Sequence, residues 1–88
     1  MSEADLLEYV KTQIKELSQF NDNEIKNWID VTKDTIKNSG VKDELINSPA
    51  ALGLIVQGVN DFRLRVNLLE DGTFLFLLTQ LTLKGARL

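Results

Sequence analysis

The last fifteen residues of the chain, 74–88, read FLFLLTQLTLKGARL and contain six leucines and two phenylalanines. Residues near a chain terminus usually fray in water, so a segment this apolar needs cover. Either it folds back into the core of its own chain or another protein covers it. We call residues 74–88 the C-terminal segment, and we expect it to be the interaction end of the protein.

The predicted interaction residues are the large apolar side chains of this segment and the polar groups between them. They are Phe74, Phe76, Leu77, Gln80, Leu81, Leu83, Lys84, Arg87 and Leu88. Gln80 and Arg87 would orient the partner. In the alternative, residues 74–81 complete the core of the monomer as a fourth helix, and this choice is most open for Leu77 and Leu81.

Length and charge limit the partners. A chain of 88 residues predicts a single domain spanning 1–88. The net charge is −3, and residues 1–47 hold ten carboxylates against six lysines, whereas residues 48–88 have a net charge of +1. A surface of this sign does not favour binding to phosphate groups. We expect no sequence-specific contact with nucleic acid.

The residue types that support most catalysis are absent. The sequence has no histidine and no cysteine, so it lacks the commonest general base, the commonest zinc ligand and any thiolate nucleophile. We predict that the protein is not an enzyme and needs no metal, cofactor or small-molecule substrate. The longest apolar run, residues 74–78, is far shorter than the ~20 residues that span a bilayer, and the acidic N-terminus is unlike a secretory signal.

Apolar spacing predicts three helices, over residues 3–17, 22–38 and 49–65. Ser2 with Asp5 forms a potential capping box, Asn21 or Asp22 precedes the second helix, and Ser48-Pro49 is typical of a helix start. Gly40 is placed to end the second helix, and residues 41–47 form a connection with one short turn. The predicted core residues are Leu6, Val10, Ile14, Ile25, Trp28, Ile29, Ile55, Val59 and Phe62.

Two glycines predict a close contact between helices. Gly53 and Gly58 lie inside the third helix, where each costs up to ~1 kcal/mol relative to alanine, so we expect another helix to approach closely there.

The secondary structure of residues 64–78 stays open. They fit a β-hairpin around Asp71-Gly72 as well as a loop followed by a short fourth helix. The fold class is nevertheless predicted as all-α, a small bundle of three to four helices with an apolar C-terminal segment.

Two stretches carry a resemblance to a known family. Residues 48–62, SPAALGLIVQGVNDF, and residues 74–84, FLFLLTQLTLK, resemble the small head–tail connector (adaptor) proteins of long-tailed bacteriophages, also called the QLRG family of phage DNA-packaging proteins. The helical hairpin that precedes them fits the same family. One departure is Thr82, which stands where the family name has arginine; Lys84 is the nearby substitute.

The resemblance implies an all-α protein that assembles as a ring at the head–tail junction of a phage or prophage virion. Its partners would be the portal protein, the next connector or tail-completion protein and further copies of itself, and it would assemble in the bacterial cytoplasm. Such proteins are structural and have no catalytic activity or cofactor. An acidic surface toward the channel would repel DNA and let it slide.

The alternative prediction is a small helical regulatory or DNA-binding protein, in which the first two helices form a helix-turn-helix. Its recognition helix would be EIKNWIDVTKDTIKN, residues 24–38, which carries several carboxylates that oppose phosphate binding. A small enzyme subunit is a third alternative, which the missing histidine and cysteine disfavour.

Overall fold

The computed structural model describes residues 2–86, and of Ala86 only the backbone. These residues form five α-helices and no strand, so the all-α prediction is confirmed, with more helices than the three to four expected. The helices are α1 (Glu3–Gln13), α2 (Asp22–Asn38), α3 (Asp43–Ile46), α4 (Leu52–Leu64) and α5 (Gly72–Ala86). Short 3₁₀ turns cover Lys15–Gln19, Pro49–Ala51 and Leu68–Glu70.

The helix starts follow the capping chemistry of the sequence. The Ser2 hydroxyl accepts from the Asp5 N–H at 3.2 Å, and the Asp5 carboxylate accepts from the Ser2 N–H at 3.4 Å, which completes the predicted capping box. The Asn21 side chain accepts from the Glu24 N–H at 2.8 Å and caps α2. Gly40 adopts φ of 94° after α2, as predicted for a helix-ending glycine.

Two predicted helix bounds are wrong. The first helix ends at Gln13 rather than at residue 17, because Ile14 is extended and a 3₁₀ turn follows. This turn brings Phe20 against Trp28, with ring centroids 5.0 Å apart, while Ile14 stays buried. Before α4, residues 49–51 form a 3₁₀ turn instead of α-helix, although Ser48 does cap it as expected.

The core lies where α2 and α4 pack against each other, with α1 and α5 also packed against α4. Of the predicted core residues, Trp28 and Phe62 are half-buried and stack with ring centroids 6.5 Å apart, and the other seven are buried. The close approach predicted for α4 occurs at Gly58, which lies against Thr32 of α2. At Gly53 the prediction is wrong, because nothing lies within 4 Å of the space that a side chain would fill.

Residues 64–78 do not form a hairpin, and α5 begins at Gly72. Asp71, which would start a hairpin turn, instead accepts from the Thr73 N–H at 3.0 Å through its side chain, as a residue preceding a helix does. Asn67 does the same for the 3₁₀ turn before it, accepting from the Leu69 N–H at 2.9 Å. Because these side chains satisfy N–H groups of helical turns, the Asp-Gly pair begins α5.

Candidate protein-interaction surface

The structure divides the predicted interaction residues into two groups. Phe74 and Leu81 are buried in the core of the monomer, as the alternative of a fourth helix predicts. Phe76, Gln80, Leu83 and Lys84 are exposed, and Leu77 is half-buried. Arg87 and Leu88 lie outside the described residues.

The apolar residues of α5 occupy two opposite sides of the helix. Phe74, Leu78 and Leu81 recur at helical spacing and are buried in the core, and α5 packs against α4 and the 3₁₀ turn Leu68–Glu70, which anchors the helix. The opposite side carries Phe76 and Leu83, seven residues apart, with exposed fractions of 63% and 50%. We define the outer face of α5 as Leu75, Phe76, Thr79, Gln80 and Leu83, all of which are exposed.

The outer face carries no charge. The sequence has no charged residue from Gly72 to Leu83, and Lys84 stands at the edge of the face. Thr79 satisfies its own hydroxyl by donating to the Leu75 carbonyl oxygen at 2.9 Å, so it makes little demand on water. An uncharged face rich in large apolar side chains on a well-anchored helix is typical of a surface that another protein covers.

A shallow groove continues this surface toward the start of α4. It lies between the two helices and is lined by Ala50, Gly53, Leu54, Leu77, Gln80, Leu81 and Lys84. Gly53 leaves this groove open because it has no side chain. The structure therefore brings Leu77, Gln80 and Lys84 together at one site, and Gly53 belongs to that site rather than to a helix contact.

A second exposed apolar group lies at the end of α4 and in the turn that follows it, and it was not identified from the sequence. It consists of Leu64, Val66 and Leu69, and we call it the turn patch. Arg65, between Leu64 and Val66, ends α4 in the left-handed conformation with φ of 60°. The sequence pattern places Leu64 in the third helix and leaves residues 64–78 open between a hairpin and a loop followed by a helix, so it does not identify this patch.

A pair of carboxyl groups, one of them buried, was also missed. Asp61 of α4 is only 3% exposed and lies near Asp71, and the Gln57 amide nitrogen donates to both carboxylates, at 3.3 and 2.9 Å. Burial, reinforced by the Asp71 charge, raises the pKa of Asp61 to about 7. The available signal was spacing, since Asp61 comes three residues after Gly58 and seven after Leu54, on the buried side of α4.

Three further observations concern metal binding, membrane spanning and similarity to known proteins. Within residues 2–86 there is no cluster of three or more acidic side chains suited to a metal ion, and no helix there is long and apolar enough to cross a membrane. No protein-family model matches the chain, and no curated protein or solved structure is significantly similar to it.

Proposed function

We propose that the protein is a structural, non-catalytic subunit that assembles with copies of itself and with other virion proteins through α5. The observation that carries this proposal is the outer face of α5, where Phe76 and Leu83 are 63% and 50% exposed with no charged residue between them. The resemblance of residues 48–62 and 74–84 to phage head–tail connectors gives the assembly its setting, between the portal and the tail.

The size of the exposed group supports an interface. Fully burying a large apolar side chain is worth roughly 1.5–3 kcal/mol. Leu75, Phe76 and Leu83 are already partly buried, with exposed fractions of 38%, 63% and 50%, so covering the rest of them is worth roughly 2–5 kcal/mol. Association and side-chain ordering cost a comparable amount, so this face alone gives a weak contact between two copies. In a closed ring every subunit contacts two neighbours, so contacts that are weak in a pair stabilise the ring together. This suits a subunit that assembles on a portal.

The distribution of charge also supports contact between subunits through the outer face of α5. Residues 1–47, with a net charge of −4, supply the acidic part of the surface, whereas the outer face of α5 is neutral. Neutral faces of neighbouring subunits can meet without like-charge repulsion, which leaves the acidic part free to face DNA in a channel.

The DNA-binding alternative has less support. A helix-turn-helix joins its helices by about 3–4 residues, whereas residues 14–21 separate α1 from α2 and include a 3₁₀ turn. The exposed side of α2 carries Glu24, Asp30 and Asp34, which oppose phosphate contacts.

Charge substitution on the outer face tests the proposal. We expect Phe76→Lys combined with Leu83→Lys to abolish assembly, because burying two ammonium groups is strongly unfavourable. Light scattering after gel filtration would measure self-association over a concentration series. A pull-down would measure binding to the portal protein encoded in the same genome. Circular dichroism would verify that the variant remains helical.

Leu69→Lys in the turn patch is the matched control, because Leu69 is also apolar and exposed, at 57%. We expect this variant to assemble and to bind the portal as the wild type does. Unchanged assembly of the doubly substituted α5 variant would contradict the proposal. So would a wild-type chain that stays monomeric at every concentration and does not bind the portal.

A further inference from the structure

One group inside the fold is left without a partner. Asp61 Oδ1 accepts from the Gln57 amide at 3.3 Å, but Asp61 Oδ2 is buried and has no hydrogen-bond donor. Buried polar atoms are nearly always paired, and an ionised oxygen without a donor is especially costly. The orphaned oxygen therefore calls for an explanation.

The surroundings of Asp61 connect it to the start of α5. The Gln57 amide nitrogen carries two hydrogens and donates the shorter bond, 2.9 Å, to Asp71 Oδ2. The other Asp71 oxygen accepts from the Thr73 N–H at 3.0 Å, in the first turn of α5. One amide thus bridges a carboxyl group of α4 and the carboxylate that holds the start of α5.

Within residues 2–86, no ion pair supplies a positive charge to these two carboxyl groups. In the part of the chain that the structure describes, the ion pairs join Lys11 to Glu8 and Asp22, and Lys37 to Asp43, all elsewhere. Arg63 lies nearby in sequence, but its guanidinium donates to Asn60 Oδ1, at 3.1 and 2.8 Å. The charged group that acts on Asp61 is Asp71, and its charge is of the same sign.

We propose that Asp61 is protonated on Oδ2 and donates a hydrogen bond from that oxygen to Asp71, so that the Asp61–Gln57–Asp71 cluster is a proton-operated latch between α4 and the start of α5. A proton turns the orphaned acceptor into a donor, and it removes one of two adjacent negative charges. Loss of the proton leaves two carboxylates sharing one amide donor, which weakens the attachment of the first turn of α5. Phe74, fully buried three residues after Asp71, is the side chain that this turn holds in the core.

The direction of the pH dependence follows from the two carboxyl groups. The pKa of Asp61 is raised to about 7, mainly by burial and next by Asp71. The pKa of Asp71 is lowered, mainly by its hydrogen bond with Asp61. Because the folded pKa of Asp61 exceeds its unfolded value, its stabilising effect is complete below about pH 4 and is lost as the pH rises through 7. Asp71 acts oppositely, and its contribution is lost only in acid.

Carboxyl NMR of the full chain tests the latch directly, together with amide hydrogen exchange. We expect the Asp61 carboxyl to titrate near pH 7. Above that pH, the protection factors of the Leu75, Phe76 and Leu77 amides should fall by up to tenfold per pH unit, as for an opening linked to one proton. Protection in the middle of α2 should not follow this curve.

Substitutions separate the latch from general effects of pH. Asp61→Asn preserves the shape, accepts from Gln57 and donates to Asp71 without titrating, so it should keep the start of α5 protected across the range. Asp71→Asn still caps α5 but removes the like charge, so it should lower the pKa of Asp61. The exposed Asp34→Asn is the control and should reproduce the wild-type profile.

Three results would overturn the latch. The first is an Asp61 carboxyl that titrates near pH 4 in the wild type. The second is an α5 protection profile of the wild type that does not change through pH 7. The third is a fall in protection that persists in Asp61→Asn. If Asp61→Asn does not fold, the wild-type titration and Asp71→Asn still decide the question.

Discussion

The contact between Gly58 of α4 and Thr32 of α2 predicts opposite effects for two identical substitutions. A methyl group on Gly58 would lie 2.8 Å from Thr32 Oγ1 and 3.2 Å from Thr32 Cβ, and Thr32 Cγ2 is closer still. Gly53, in the same helix, has nothing within 4 Å of the corresponding position. Alanine gains about 1 kcal/mol of helix propensity at either site, so the difference between the two variants measures the packing of α2 on α4.

The magnitude at Gly58 follows from how little Thr32 can move. Its Oγ1 donates to the Trp28 carbonyl oxygen at 2.7 Å, and branching at Cβ restricts its rotamers, so the helices must separate. Overpacking of this kind costs about 1–3 kcal/mol. After the gain in propensity, we expect Gly58→Ala to lower the free energy of unfolding by up to about 2 kcal/mol and Gly53→Ala to raise it by about 0.5–1 kcal/mol.

Urea unfolding followed by circular dichroism measures both values. Thr32→Ala in the Gly58→Ala background removes the two nearest atoms, so the double-mutant cycle should show a favourable coupling of about 1–2 kcal/mol. If Gly58→Ala stabilises the protein as much as Gly53→Ala does, or the coupling is zero, then α2 and α4 do not pack as described.

Two further predictions concern α5 and the turn before it. Phe74→Ala should lower the free energy of unfolding by about 3–5 kcal/mol, because Phe74 is fully buried. Phe76→Ala, two residues away and exposed, should change it by less than about 0.5 kcal/mol. Equal losses of stability in urea unfolding would contradict the assignment of Phe74 to the buried side and Phe76 to the outer face. Arg65→Gly should raise the free energy of unfolding by about 0.5–1 kcal/mol, because glycine adopts φ of 60° without strain. A loss of stability in thermal melts would show that the Arg65 side chain holds the turn.

Local chemistry made much of the fold predictable from the sequence. The bounds of α2 were predicted correctly, because Asn21 caps its start and Gly40 follows its end. The end of α1 was not, because residues 3–17 keep a helical pattern through Ile14, where the backbone becomes extended. The choice between hairpin and helix depended on whether Asp71 would act as a turn residue or as a helix cap, which the pattern left open.

The candidate site was harder to predict, because it depends on which side of a helix its neighbours cover. Phe74 and Phe76 lie two residues apart in an apolar run, and only the packing of α5 on α4 buries one and exposes the other. Spacing likewise could not distinguish Gly58, which contacts Thr32, from Gly53, which opens a groove. Asp61 had no role in the sequence-based prediction, and its burial follows from the packing around α4.

Cysteine accessibility tests most directly the central claim, that the outer face of α5 is covered on assembly. The chain has no cysteine, so Thr79→Cys on the outer face and Glu24→Cys on α2 each report on a single exposed position. We expect alkylation of Thr79→Cys to be at least about tenfold slower in the portal-bound or self-assembled protein than in the monomer, with Glu24→Cys unchanged. Equal rates for Thr79→Cys in the two states would show that the assembly forms without this face.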